Sequence, residues 1–103
     1  MSFTLEELDE FLSERAKASP NDSYTSMLLH KGPSYAAKKL GEEAVETALA
    51  AVSGDKDALA AESADLIYHW LVLMAACDLD LDAVADKLAA REGRPGLDEK
   101  ASR

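Results

Sequence analysis

Three short strings carry the fold: K-K-L-G-E-E-A-V-E at 38–46, V-S-G-D-K-D at 52–57 and A-E-S-A-D at 61–65. They read as two helices folded back on each other about Ser53-Gly54-Asp55. Glu46 stands eight residues before Gly54 and Glu62 eight after it; Glu43 stands eleven before and Asp65 eleven after. In an antiparallel hairpin with a rise of ~1.5 Å per residue, these positions form two level rungs one helical turn apart. Four carboxylates then converge in one small volume. Like charges that close repel strongly, so a cation is expected between them.

The rest of the chain agrees with helix. Its 103 residues suggest one domain, 1–103, able to bury roughly two-thirds of its unfolded surface. Hydrophobic residues make up 48 %, aromatics only 6 %, and there are 5 Gly and 3 Pro, a composition that favours an all-α fold. Charged residues, at 30 %, are interspersed with apolar ones, unlike a disordered chain. The net charge of -9 excludes sustained binding to nucleic acid or to an anionic membrane. An anionic small substrate is compatible if a metal and local lysines offset the field.

Cys77 is the only cysteine. It has no partner for a disulfide or a zinc site and is expected as a small core residue in a reducing compartment. The N-terminal residues lack a basic region followed by an apolar one, so no signal peptide is read. The longest apolar run, 66–77, is too short to span a bilayer. The expected location is cytoplasmic.

In chain order, Thr4-Leu5-Glu6-Glu7 has the form of a capping box, and Leu5, Leu8, Phe11 and Leu12 follow at helical spacing to about residue 18. Residues 24–31 form a short helix started by Asp22 or Ser23, with Met27 and Leu28 or Leu29 inward. Gly32-Pro33 breaks it. Ser34 caps a long second helix to residue 52, and Gly54 ends it in a left-handed conformation. Asp55 caps the next helix, 56–77. Leu66, Ile67, Trp70, Leu71, Val72, Leu73 and Met74 cover every side of that cylinder, so it should be buried all round. Four short helices of one chain can hardly achieve this, so a dimer is expected. Asp80 caps a last helix, with Leu79 and Val84 as a hydrophobic staple and Leu81, Val84 and Leu88 as its inner stripe. The basic tail from Arg94 is expected to be irregular.

Glu42, Glu43 and Glu46 share an arc of roughly 100° on one helix, and Glu62 and Asp65 are i,i+3 on the next. Hard cations such as Mg²⁺ take carboxylate oxygens and keep waters for substrate phosphates. No His or Cys stands at ligand spacing among these acids, which favours Mg²⁺ or Mn²⁺ over Zn²⁺. The plain alternative is a solvated acidic face. Against it, the two acid pairs are level across the turn, Glu62 shares a stripe with Leu59 and Leu66, and neither pair has a base four residues later. Lys39 lies on the face of Glu43 and Glu46, where it could meet a phosphate. Lys31, Arg91, Arg94, Lys100 and Arg103 are further phosphate candidates, though each alone reads as a surface base. His69 reads as a satisfied core histidine, with a hydrogen bond to Asp65 as the alternative. Tyr68 and Trp70 read as core.

Glu42-Glu43-x-x-Glu46 followed by Glu62-x-x-Asp65 resembles the E-E-x-x-E…E-x-x-D signature of the all-α, MazG-like nucleoside triphosphate pyrophosphohydrolases. S-Y-T at 23–25, K-G at 31–32, K-L-G-E-E-A-V-E at 39–46, E-S-A-D-L-I-Y-H at 62–69 and E-K-A-S-R at 99–103 narrow the resemblance to the phosphoribosyl-ATP pyrophosphohydrolases of histidine biosynthesis. The resemblance implies a four- to five-helix bundle with a long central hairpin, packed as a homodimer. It implies Mg²⁺-dependent cleavage of 1-(5-phosphoribosyl)-ATP to 1-(5-phosphoribosyl)-AMP and pyrophosphate, and a cyclohydrolase on a separate chain for the next step. By position, Glu43, Glu46, Glu62 and Asp65 would ligate metal. Glu42 would orient the attacking water or stand behind the ligands. Lys31, Lys39, Arg94 and Lys100 would bind substrate. Two rival readings are a broad (d)NTP pyrophosphohydrolase with the same metal site, and a non-catalytic helical interaction module with solvated acids.

Overall fold

The computed structural model describes residues 3–92. Five helices follow in order: α1 (Leu5–Ala16), α2 (Tyr24–Lys31), α3 (Pro33–Ser53), α4 (Lys56–Ala76) and α5 (Leu81–Arg91). No strand occurs among the described residues. The long α3 and α4 pack along each other as the expected hairpin, and α1 and α2 close over one end of it.

Four of the five helices begin as the sequence indicates. The Thr4 hydroxyl oxygen accepts from the Glu7 N–H at 3.1 Å and its proton points at the Glu7 carboxylate at 3.3 Å. Ser23 accepts from the Ser26 N–H at 3.2 Å, and Asp55 and Asp80 accept from Ala58 and Ala83, each at 3.0 Å. Each cap satisfies an amide that the first turn leaves without a partner. The exception is α3. Ser34 does not cap it; the helix starts two residues earlier, with Pro33 in the first turn and Gly32 as a cap without a side-chain bond. Proline has no N–H to leave unsatisfied there, and Gly32, at φ 91°, takes the corner between α2 and α3.

The core is Leu12, Leu28, Ala36, Leu71 and Val72, drawn from four helices at the open end of the hairpin. Leu28 is fully buried, with Met27 and Leu29 partly buried beside it. Tyr68 and Trp70 pack against this core but are only partly buried. Three expectations fail. Cys77 is exposed, because it falls at the C-cap of α4, beyond the last turn that packs. α5 has no buried residue, and Leu88 of its supposed inner stripe is 64 % exposed. Of its residues Leu81, in the first turn, joins the core, while Leu79 before it is 44 % exposed and Val84 half-buried. α1 also stops at Ala16, two residues short of the expected end.

The other end of the hairpin is bare. On α3, Val45, Leu49 and Val52 form an exposed apolar stripe, Val52 at 87 %. Within α4, His69, Leu71 and Val72 are buried and Leu66, Trp70, Leu73 and Met74 are half-buried, so of its apolar run only Ile67, at 40 %, is exposed. With 21 residues, α4 is long and apolar enough to cross a membrane by length and composition, which the shorter run 66–77 did not indicate. It carries Glu62, Asp65 and His69 at mid-length, and it packs along α3.

Two glycines of the hairpin give opposite predictions. Gly54 sits at φ 79°, and an added Cβ would meet nothing, so Gly54→Ala suffers only backbone strain, about 1–2 kcal/mol. Gly41 is helical and equally open, so Gly41→Ala gains about 0.5–1 kcal/mol. Urea unfolding of the two variants should show stability moving in opposite directions.

Candidate metal centre

The hairpin brings the acids together because mirrored positions about Gly54 fall level on α3 and α4. One hydrogen-bonded rung marks the register. The Thr47 hydroxyl on α3 reaches the Glu43 carbonyl at 2.8 Å and the Glu62 carbonyl of α4 at 3.1 Å. Thr47 is the residue that the sequence reading missed. A threonine four after Glu43 reads as helix filler, since serine and threonine often bond the carbonyl one turn back. Its second contact depends on where α4 lies.

Above this rung, Glu43, Glu62 and Asp65 each offer a carboxylate oxygen within 4.8 Å of the others. Glu43 and Glu62 are half-buried, and one oxygen of each, Oε2, is buried with no hydrogen-bond partner. Burial pushes the Glu43 carboxyl up to about 7, helped by the charge of Glu46, a hydrogen bond with Glu62 and the charge of Asp65. The Glu62 carboxyl is also raised, first by its hydrogen bond with Glu46, then by burial and by the Glu46 and Asp65 charges. Glu46 thus touches both neighbours but is exposed, at the rim of the group rather than among the three that converge.

Glu42 stands apart from that group. Its Oε1 lies 3.2 Å from the Lys39 ammonium, an i,i+3 ion pair on the outside of α3. Lys39 is therefore joined to Glu42 rather than to Glu43, and that bond raises its pKa. Among the described residues Lys31 pairs with no acid; its Nζ sits 4.5 Å over the Tyr35 ring. Arg94 and Lys100 lie outside the described residues.

His69 is buried, as expected of a core histidine, but it is not satisfied: its Nδ1 has no partner and no bond reaches Asp65. Burial lowers its pKa, as does the charge of Lys39, against the pull of Asp65 and Glu42. The imidazole therefore stays neutral among charged neighbours.

The donor set suits a hard divalent cation. It is all carboxylate, it has two buried oxygens without partners, and its carboxyls are pushed toward protonation by burial, by hydrogen bonds among them and by their mutual charge, which a cation would relieve. Magnesium or manganese fits this set, and zinc, which favours nitrogen and sulfur, fits it less well.

Comparison with known proteins agrees with this arrangement. The family model described as phosphoribosyl-ATP pyrophosphohydrolase matches residues 5–92. A phosphoribosyl-ATP pyrophosphatase of Caulobacter sp. (strain K31) is 64 % identical over 99 residues, covering 96 % of this chain and 92 % of that protein. Proteins of the same name from Caulobacter vibrioides (strain NA1000 / CB15N) and Parvibaculum lavamentivorans are 61 % and 56 % identical, again over 96 % of this chain and 92 % and 91 % of their own lengths. An all-helical hairpin with its acids gathered across the turn, matched at this identity over nearly the whole length, belongs to the phosphoribosyl-ATP pyrophosphohydrolase family, hydrolases of phosphoric anhydrides.

Proposed function

We infer that the chain hydrolyses 1-(5-phosphoribosyl)-ATP to 1-(5-phosphoribosyl)-AMP and pyrophosphate with Mg²⁺ as its metal. The observation that carries this reading is the meeting of Glu43, Glu62 and Asp65 across the hairpin, two of them with buried oxygens left without partners. In it, Glu43, Glu62 and Asp65 hold the metal and Glu46 completes the set at the rim. When bound, the metal would neutralise charge growing on the phosphates and make a bound water more acidic. Lys39 and Lys31 present their ammonium groups to the phosphate chain. Glu42, tethered by Lys39, orients the attacking water. No covalent nucleophile is required, because phosphoryl chemistry of this kind is mostly positioning and electrostatics.

We also read the chain as a homodimer. Its Cα radius of gyration is 15.7 Å, against about 13 Å for a compact chain of this length. Ile67 on α4 and Val45, Leu49 and Val52 on α3 are the apolar surface that a second copy would bury.

Pyrophosphate release should be rapid from phosphoribosyl-ATP with Mg²⁺, absent with chelator, and slight from ATP and dNTPs. Glu46→Gln and Glu62→Gln should lose turnover while keeping their helical circular dichroism; near-normal rates in either would defeat the metal assignment. Release chiefly from dNTPs would move the function to nucleotide clearance.

Stability should also report on the carboxylates. Glu43 has its folded pKa raised from 4.5 to about 7, so its stabilising protonation is complete below 4.5 and lost as pH rises through about 7. His69, lowered from 6.5, opposes this only as pH falls below 6.5. Metal-free protein should therefore melt higher at pH 6.5 than at pH 8. Glu43→Gln should flatten that slope, and saturating Mg²⁺ should reverse it, since ligands bind deprotonated. An unchanged slope in the variant would count against the buried carboxyl.

Light scattering should give twice the chain mass. Leu49→Glu or Val52→Glu should shift it toward monomer. A wild-type monomer at micromolar concentration would overturn the dimer.

A further inference from the structure

The run Ser23-Tyr24-Thr25-Ser26 has one member that the fold itself does not use. Ser23 is buried and caps α2. Thr25 is buried, its hydroxyl 2.6 Å from the Tyr68 hydroxyl, and Ser26 is buried and donates to the Ala18 carbonyl at 2.7 Å. Tyr24 is 49 % exposed. Its ring is nonetheless held in place. It lies within 15° of parallel to Tyr68, centroids 6.2 Å apart, and edge-on to His69 at 6.0 Å. Tyr68 and His69 are in turn edge-on to each other at 5.0 Å. An exposed aromatic ring braced by two others is a flat surface set before any ligand arrives.

This surface adjoins the phosphate-facing edge of the metal centre. Lys39, paired with Glu42, lies near the Tyr24 and Tyr35 phenols. Lys31 rests over the Tyr35 ring. His69, which braces Tyr24, is one turn along α4 from Asp65 of the carboxylate group. Two ammonium groups interleaved with tyrosines, beside a carboxylate cluster, suit a ligand with a phosphate chain at one end and a flat base at the other.

We propose that the exposed face of Tyr24 stacks the purine of the substrate and reads the positive charge on it. This rests on the phosphoribosyl-ATP reading above. An adenine substituted at N1 carries a positive charge at neutral pH, shared between the ring and its exocyclic nitrogen; the adenine of ATP is neutral. A tyrosine face stacks any base and in addition attracts a cation. Through the triphosphate, which the two nucleotides share, Lys31 and Lys39 make no such distinction. Glu42 neutralises Lys39, so the nearest ammonium does not drive the purine cation away. Tyr24 is thus a specificity residue that favours phosphoribosyl-ATP over the abundant ATP.

The test uses 1-methyladenosine 5′-phosphate, which carries the N1 charge without the added phosphoribosyl group, against AMP. Titrated calorimetrically into the whole chain with Mg²⁺, the methylated nucleotide should bind about tenfold tighter, the size of a partly desolvated cation–π contact. Tyr24→Phe keeps the ring and should keep the preference. Tyr24→Leu should lose it, and should raise the KM for phosphoribosyl-ATP about tenfold with kcat within about twofold. Equal affinity of the wild type for the two nucleotides would overturn the proposal, as would a preference that survives in Tyr24→Leu, which would assign the charge reading to the carboxylates. If the wild type releases no pyrophosphate from phosphoribosyl-ATP, the functional reading fails, while the two-nucleotide titration still decides the role of Tyr24.

Discussion

Repulsion between carboxylates across one helical hairpin is the constraint that organises this molecule. Glu43, Glu62 and Asp65 meet over the rung made by Thr47, with Glu46 at the rim. Nothing in α3 or α4 offsets that charge from within: Lys39 is tied to Glu42, and His69 is held neutral. Burial raises the Glu43 carboxyl and the hydrogen bond with Glu46 raises that of Glu62, and the charges of the neighbouring acids push both the same way. A cation would relieve that charge, and in the proposed reaction the same cation draws in a polyphosphate. Folding and catalysis are thereby linked through one cluster, since whatever holds the hairpin closed also presses the acids together.

The rest of the chain supports that hairpin at one end only. α1 and α2 supply Leu12 and Leu28, which with Ala36, Leu71 and Val72 form the core. The turn end projects with its apolar stripe uncovered, and α5 adds little more than Leu81 to the core. The exposed stripe of Val45, Leu49 and Val52 on α3 is the surface that the proposed dimer would cover. The bases follow the same division. Lys31, at the end of α2, rests over the Tyr35 ring, and Lys39 on α3 is paired with Glu42, so a strongly acidic chain keeps a local edge that an anion can approach.

Much of this was legible in the residues because it depends on local rules. Thr4, Ser23, Asp55 and Asp80 are caps by their short polar side chains, and each caps its helix. The symmetry of the acids about Gly54 follows from helical rise alone, so the convergence of Glu43, Glu62 and Asp65 needed no knowledge of the core. Even so, Ser34 was a less apt helix start than Pro33, whose ring is already in helical geometry.

What the sequence by itself determined was helix positions, the hairpin and the register of its acids, because capping, periodicity and rise act over a few residues. What only the tertiary structure decided were contacts between residues far apart in the chain. Thr47 reaches Glu62, Thr25 reaches Tyr68, and Tyr24 comes to rest against Tyr68 and His69. The exposure of Cys77 and Leu88 belongs here too, since an apolar residue is buried only where another element lies over it. Side-chain partners chosen across packed helices depend on crossing geometry and on which faces remain uncovered, and no local spacing encodes either.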